Sequence, residues 1–186
     1  GFNGAVLISP TAITDWFDLG TKVDYYRVVG GARGDFGGKL TGWSWDFYGQ
    51  YSRSDGEYYQ QIILDDAVDT QDFRTGSCAG TFTPISNRPC IDIDWTNPEL
   101  LRGNLSAAER AFLLAEDVGR TKYTQASFEG SVTGTIIEGW AGPIDTALGV
   151  VWRRDEINDT PGPHTLAGNL WNSTAAGITK GESTTK

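Results

Sequence analysis

The sequence predicts an all-β fold, specifically an antiparallel transmembrane β-barrel segment with two long hairpins and a helix-containing extracellular loop. Three observations predict it. Stretches of about 11 to 17 residues alternate apolar and polar side chains with period two, well beyond the usual strand of about 5 to 6 residues. Short glycine-bearing turns join these stretches in pairs. A connection far longer than compact domains use separates the pairs, and short turns opposite long loops are the asymmetry of outer-membrane barrels.

The first strand is expected at about residues 25–36, with Tyr26, Val28, Ala32 and Phe36 on one side and Tyr25, Arg27, Arg33 and Asp35 on the other; Val29 breaks the pattern. Gly37 to Gly42 reverse the chain. The second strand, at about 43–53, carries the clearest alternation: Trp43, Trp45, Phe47 and Tyr51 oppose Ser44, Asp46, Gln50 and Ser52. A long extracellular loop is expected over 54–120. It is acidic at first (Asp65, Asp66, Asp69, Asp72), then turn-rich around Cys78 and Cys90, then helical. Asn97-Pro98-Glu99 has the form of a helix start with proline in the first turn. Ser106-Ala107-Ala108-Glu109 fits a capping box ahead of Arg110 to Ala115, a helix of about ten residues. Ile91, Ile93 and Trp95 alternate with Asp92 and Asp94 as in a short loop strand.

The third strand, at about 121–137, sets Thr124, Ala126, Phe128, Val132 and Ile136 against Tyr123, Gln125, Ser127, Glu129, Ser131 and Thr133. Glu138 to Gly142 turn the chain. The fourth, at about 143–154, sets Ile144, Thr146, Leu148, Val150 and Trp152 against Asp145, Ala147, Gly149, Val151 and Arg153. Residues 155–186 read as a C-terminal loop, and residues 1–186 as one partial barrel domain. In this reading Arg27, Arg33, Asp35, Asp46, Glu129, Asp145 and Arg153 face a lumen, where mutual salt bridges on a wet wall are expected. Trp43, Trp45, Phe47, Tyr51, Phe128 and Trp152 face lipid. The turns at 37–42 and 138–142 are then periplasmic.

A soluble antiparallel sandwich also alternates. Strand length, and Trp and Tyr near the strand ends as in an interfacial girdle, favour the barrel.

Composition narrows the function classes. A net charge of −9 and a pI near 4.5 speak against a nucleic-acid binder, which clusters Lys and Arg against phosphates. Aromatics at 12% and 24 glycines suit sheet better than helix. The longest apolar runs, such as Ala111 to Ala115, fall far short of the roughly 20 residues of a spanning helix, whereas a spanning strand needs only about 9 to 11. The mean hydropathy of −0.33 is compatible with soluble proteins and polar-lumened barrels alike. Cys78 and Cys90 read first as a loop disulfide in an oxidising compartment, with two free thiols as the other reading; His164 is too remote to complete a zinc site. Gly1-Phe2-Asn3-Gly4 has no signal-peptide character.

The stretch Tyr26 to Phe36, then Gly42-Trp43-Ser44-Trp45-Asp46 and Tyr51, resembles the barrel of TonB-dependent outer-membrane receptors. Pro89-Cys90, the loop helix, Gln125 to Gly134, Ala141-Gly142-Pro143 and Gly149 to Asp155 are similar to the following strands of that region, in matching order over residues 5–182. The resemblance implies energised uptake of a scarce nutrient such as a ferric siderophore, cobalamin or an oligosaccharide. The implied partners are outer-membrane lipids, the remainder of the barrel and its plug, the TonB complex acting through that plug, and a small nutrient ligand. No cofactor is implied. A plug, a TonB box and an aromatic-terminated last strand are not found here, so a middle segment of a barrel is expected.

Enzymatic readings are weaker. His164, in Pro161-Gly162-Pro163-His164, lacks a nucleophile elbow, and Asp65-Asp66 lacks EF-hand spacing. The alternative from another class is a secreted β-rich module whose aromatics bind carbohydrate or another ligand. Burial of Trp43, Trp45 and Trp152 between two sheets would favour it.

Overall fold

The computed structural model describes residue 10, residues 18–71 and residues 76–186. The opening residues 1–4 and Asp72 lie outside these. The described chain is predominantly strand. Five strands, β1 (Leu19–Asp35), β2 (Ser44–Ile63), β3 (Leu114–Gly139), β4 (Gly142–Thr160) and β5 (Thr179–Thr185), form a single antiparallel sheet in the order β1-β2-β3-β4-β5. The sheet is open, with β1 and β5 at its edges; these strands do not close a barrel.

Both expected hairpins are present. In the first, a 3-10 turn at Gly38–Leu40 reverses the chain. Gly38 there takes φ 64°, a left-handed value that favours glycine, and the Thr41 hydroxyl donates to its carbonyl at 2.7 Å. Phe36 N–H closes the turn on the Trp43 carbonyl at 2.8 Å. In the second, only Trp140 and Ala141 separate β3 from β4.

The strands run longer than the alternation suggested. β2 continues to Ile63 and β3 begins at Leu114, so residues 54–63 and 114–120 of the expected 54–120 loop are strand. Arg53, Asp55 and Glu57 occupy the formerly apolar face of β2, which removes the period-two signal without disfavouring extended backbone. The 155–186 loop likewise holds the end of β4, a short helix and β5. That last strand, TKGESTT, is fully exposed and has no sidedness to read.

The chain forms two compact units. One takes Glu57–Arg120 and Thr160–Ile178 with the described residues up to Lys22. Every buried hydrophobic side chain among the described residues lies in this loop unit, around Leu64, Leu100, Phe112, Leu113 and Leu170. Its described residues include the helices α1 (Asp65–Asp69), α2 (Pro98–Leu101), α3 (Ala107–Leu113) and α4 (Pro163–Ala167). The start signals act as expected: the Asn97 side chain accepts from Glu99 N–H at 3.0 Å, and Ser106 and Glu109 form the reciprocal capping box. The helix is shorter than expected because Leu114 turns to extended backbone and opens β3. The other unit takes Val23–Gly56, Thr121–Asp159 and Thr179–Lys186, and is sheet with both faces open.

Candidate functional site

Within the sheet unit, period-two geometry sorts side chains onto two faces with different chemistry. The register is set by close backbone approaches: a Cβ built on Gly31 would meet Tyr48, one on Gly56 would meet Thr121, and one on Gly149 would meet Ser131. Tyr26 is therefore level with Arg53, Thr124 and Glu156, and Phe36 with Trp43, Gly134 and Thr146.

The polar face carries a hydrogen-bonded row across four strands. Arg27 donates to the Gln50 amide oxygen. Gln50 Nε2 donates to Gln125 Oε1 at 3.0 Å, and Gln125 Nε2 to Asp155 Oδ1 at 2.9 Å. Asp155 also receives the Tyr123 hydroxyl at 2.5 Å and the Arg153 fork at 2.7 and 3.1 Å. Nearer the short turns, Tyr48 donates to Glu129 at 2.7 Å, Ser44 meets Thr133 at 2.9 Å and Thr135 donates to Asp145 at 2.6 Å. All seven residues expected on this face share it. The expected mutual salt bridges are a different matter. Among the described residues, Arg153 is the one of the seven that pairs with a carboxylate, that of Asp155, a residue the sequence placed in a loop; Arg27, Glu129 and Asp145 bond to neutral side chains. Arg33, Asp35 and Asp46 gather around a cavity of about 410 Å³ with Ser44, Ser131 and Thr133. Val29, Ile137 and Val151 interrupt the polar character of this face.

The opposite face is apolar over a limited band: Tyr26 on β1 to Phe36 just past its end, Trp43 just before β2 to Tyr51 on it, Ala126 to Ile136 on β3 and Ile144 to Trp152 on β4. Phe47 and Phe128 meet edge to face at 4.5 Å between centroids, and Tyr26 lies 6.1 Å from Tyr51. Glycines receive the largest rings. A Cβ on Gly34 would stand 3.1 Å from the Trp45 ring, and one on Gly134 would overlap Trp43, so each indole lies flat over bare backbone on the neighbouring strand. These side chains are open to their surroundings: Val28 is 66% exposed, Leu148 67% and Val150 66%. Trp43, Trp45 and Trp152 are half-buried within the sheet surface, and none is enclosed between two sheets. Beyond the band the same face turns charged, with Asp24, Arg53, Asp55, Lys122, Arg154 and Glu156.

In the loop unit, Cys78 and Cys90 are joined by the disulfide that the sequence favoured. Gln71 pins it: its Nε2 reaches both sulfurs at 3.5 Å and the Ile91 carbonyl at 3.0 Å, while its Oε1 accepts from Ile93 N–H at 3.1 Å. Residues 91–95 do not form the short loop strand expected of them, although Ile93 is buried and Asp92 and Asp94 are exposed; Asp92 instead accepts from Ser77 and Cys78. The acidic cluster at 65–69 is split. Burial raises the Asp65 carboxyl, helped by Asp69 and Asp66. Burial also acts to raise Asp66, yet hydrogen bonds from Ser86, Asn169 and Ile85 outweigh it and hold that carboxyl below its ordinary value. Asp66 and Asn169 bond reciprocally at 2.8 Å through backbone and side chain. Arg88, lowered by burial, donates to the Ala111 and Leu114 carbonyls at 2.5 and 2.7 Å where α3 ends. His164 meets Asp117 through its backbone N–H at 2.9 Å, not its ring. Among the described residues, no group of three His, Cys, Asp or Glu is placed to hold a metal ion, and no helix is long and apolar enough to cross a membrane.

No protein-family model, curated protein or solved structure matches the chain.

Proposed function

We propose that this chain is a wall segment of a bacterial outer-membrane β-barrel, with the apolar face toward lipid and the polar face toward the lumen. One observation carries the reading: a largely exposed apolar band that continues across four adjacent strands, with an aromatic at its upper end on β1, β2 and β4 and at its lower end beside β1 and β2. It runs for about 9 to 11 residues on each strand, the length a tilted transmembrane strand needs. At about 3.3 Å per residue and a tilt near 40°, the band stands about 20–25 Å tall, against about 25 Å for outer-membrane barrels. Tyr26, Tyr51 and Trp152 mark one edge, and Phe36, Trp43 and Trp45 the other, in the manner of paired aromatic girdles. The band also drifts. Its upper edge descends by about four residues and its lower edge by about two over three strand spacings of about 4.8 Å, a slope of roughly 25–40° that meets the strand tilt of closed barrels.

Within that class, the order of the Tyr26–Phe36, Trp43–Tyr51 and Gly149–Asp155 motifs supports a TonB-dependent receptor for active uptake of a scarce nutrient, a ferric siderophore, cobalamin or an oligosaccharide. Its partners would be the rest of the barrel, the plug and, through the plug, the TonB complex. The soluble carbohydrate-binding module gains no support, because among the described residues no second sheet covers the indoles.

Two measurements test the proposal. In vesicles of brominated phosphatidylcholine, tryptophan emission is quenched, and the quenching falls when Trp43, Trp45 and Trp152 are changed together to Phe. In cells, deletion of the reading frame abolishes TonB-dependent uptake of one nutrient. Unquenched emission from a soluble monomer removes the wall reading; quenched emission with unaffected uptake of every nutrient tested removes the receptor reading.

A further inference from the structure

The Cys78–Cys90 disulfide is held by more than its own bond. Both cysteines are buried in the apolar cluster of the loop unit, and their backbones are fixed by neighbours. Cys78 N–H donates to Asp92 Oδ1 at 2.8 Å, and the Cys78 carbonyl accepts from the Thr81 N–H at 3.1 Å and the Thr81 hydroxyl at 2.7 Å. Cys90 N–H donates to the Thr81 carbonyl at 2.9 Å. None of these bonds uses sulfur, so each can form while the cysteines are reduced.

Gln71, itself buried, closes the arrangement from a third side. Its Oε1 accepts from Ile93 N–H at 3.1 Å and its Nε2 donates to the Ile91 carbonyl at 3.0 Å, which ties the amide to the segment following Cys90. That leaves the second amide hydrogen for the sulfurs, each 3.5 Å from the nitrogen. A disulfide sulfur is a weak acceptor and gains little from such a donor. A thiolate is a charged acceptor, and burial in apolar surroundings disfavours it unless a donor offsets the loss of water. The amide is therefore aimed at a species that exists before the bond and not after it.

We propose that Gln71 is a positioning residue for closure of the Cys78–Cys90 bond: it holds the segment bearing Cys90 against Cys78 and stabilises the attacking thiolate. The reaction is thiol–disulfide exchange, with a small-molecule or protein disulfide as the oxidant. One cysteine thiolate attacks the S–S bond of the oxidant, forming a mixed disulfide and releasing one thiolate. The other cysteine, deprotonated and facing the Gln71 amide, then attacks the protein sulfur of that mixed disulfide. The bond to the remaining half of the oxidant breaks, and this half leaves as a thiolate that takes up a proton. Two electrons pass from the cysteine pair to the oxidant, which ends as two thiols. Because the contacts with Ile91 and Ile93 do not involve sulfur, the same geometry closes the bond again after reduction. The inference stands on the loop unit alone and is independent of the membrane reading.

The test reduces the full chain under native conditions, removes the reductant and adds oxidised glutathione. Mass analysis of acid-quenched samples gives the closure rate of the mixed disulfide, and the pH dependence of iodoacetamide alkylation of the reduced pair is read in parallel. Q71L closes about 10-fold more slowly than wild type, with its alkylation midpoint about one pH unit higher, as expected for the loss of one hydrogen bond to a charged group. Q71E keeps the acceptor for Ile93 but offers sulfur no donor, and is slowed at least as much. D66N weakens the unit without touching either sulfur; it closes as wild type, with an unshifted midpoint. In strong denaturant all four chains close alike. Equal rates, or equal midpoints, for wild type and either Gln71 variant overturn the assignment. So does slowing by D66N as large as that by Q71L, or a Q71L deficit that persists in denaturant.

Discussion

A single charge placed on either face of β4 separates a membrane wall from a sheet in water. Leu148 and Val151 are both branched aliphatics, 67% and 51% exposed, three residues apart on one strand and therefore on opposite faces. In water an arginine at either position is a surface substitution within about ±0.5 kcal/mol. In a bilayer the two diverge. Leu148 lies midway along the Ile144–Trp152 band, where arginine on a barrel's lipid face costs about 2–4 kcal/mol; Val151 faces the wet side, where a new charge is solvated. A difference of about 3 kcal/mol is a factor of about 150 in the folding equilibrium. With a guanidinium slope of about 2–6 kcal/mol/M, it moves the midpoint of L148R down by about 0.5–1.5 M. The assay is reversible unfolding of the protein in phosphatidylcholine vesicles, followed by tryptophan emission, for wild type, L148R and V151R. Equal midpoints for the two variants, or a larger loss for V151R, refute the assignment of faces.

Three further outcomes follow from the geometry. Changing Cys78 and Cys90 to Ser releases a 12-residue separation and costs the loop unit about 3 kcal/mol, read as faster amide exchange over 76–113 with the Tyr26–Phe36 strand unchanged. Asp66 is held below its ordinary value, so its contribution is complete above the unfolded carboxyl value near 3.9 and drains as pH falls toward the lower folded value; exchange in the loop unit accelerates over that window, and D66N abolishes the pH dependence while weakening the unit at neutral pH. Gln125→Leu leaves Gln50 without its acceptor and removes one donor from Asp155, costing about 1–3 kcal/mol by the same unfolding assay, whereas Gln125→Glu restores the acceptor but sets a carboxylate against Asp155 and recovers little.

The hairpins were legible because alternation and turn glycines coincide: Trp43, Trp45 and Phe47 follow a turn that only a residue free at φ 64° completes. Strand length was not legible. Alternation reports an apolar face, and β2 loses that face at Arg53 while its ladder continues to Ile63. Leu113 and Leu114 look alike in sequence, yet one ends a helix and the other opens a strand, a boundary set by tertiary packing around Leu64 and Leu113. The seven charged residues share one face, but their partners follow from register, which sequence does not display. Gln50 and Gln125, which carry the row, have no distinguishing composition; a signal existed in the glycines Gly34 and Gly134, whose spacing against Trp45 and Trp43 fixes the register.

The row from Arg27 to Asp155 has a direction. Arginine can only donate and an ionised carboxylate can only accept, so the two glutamines between them have one consistent orientation: each amide nitrogen points toward β4 and each oxygen toward β1. Turning one amide alone would set two nitrogens face to face on one side and two oxygens on the other. The row therefore behaves as a polarised wire with its sense locked at both terminals, and exchanging the signs at its ends would require both glutamines to reverse together.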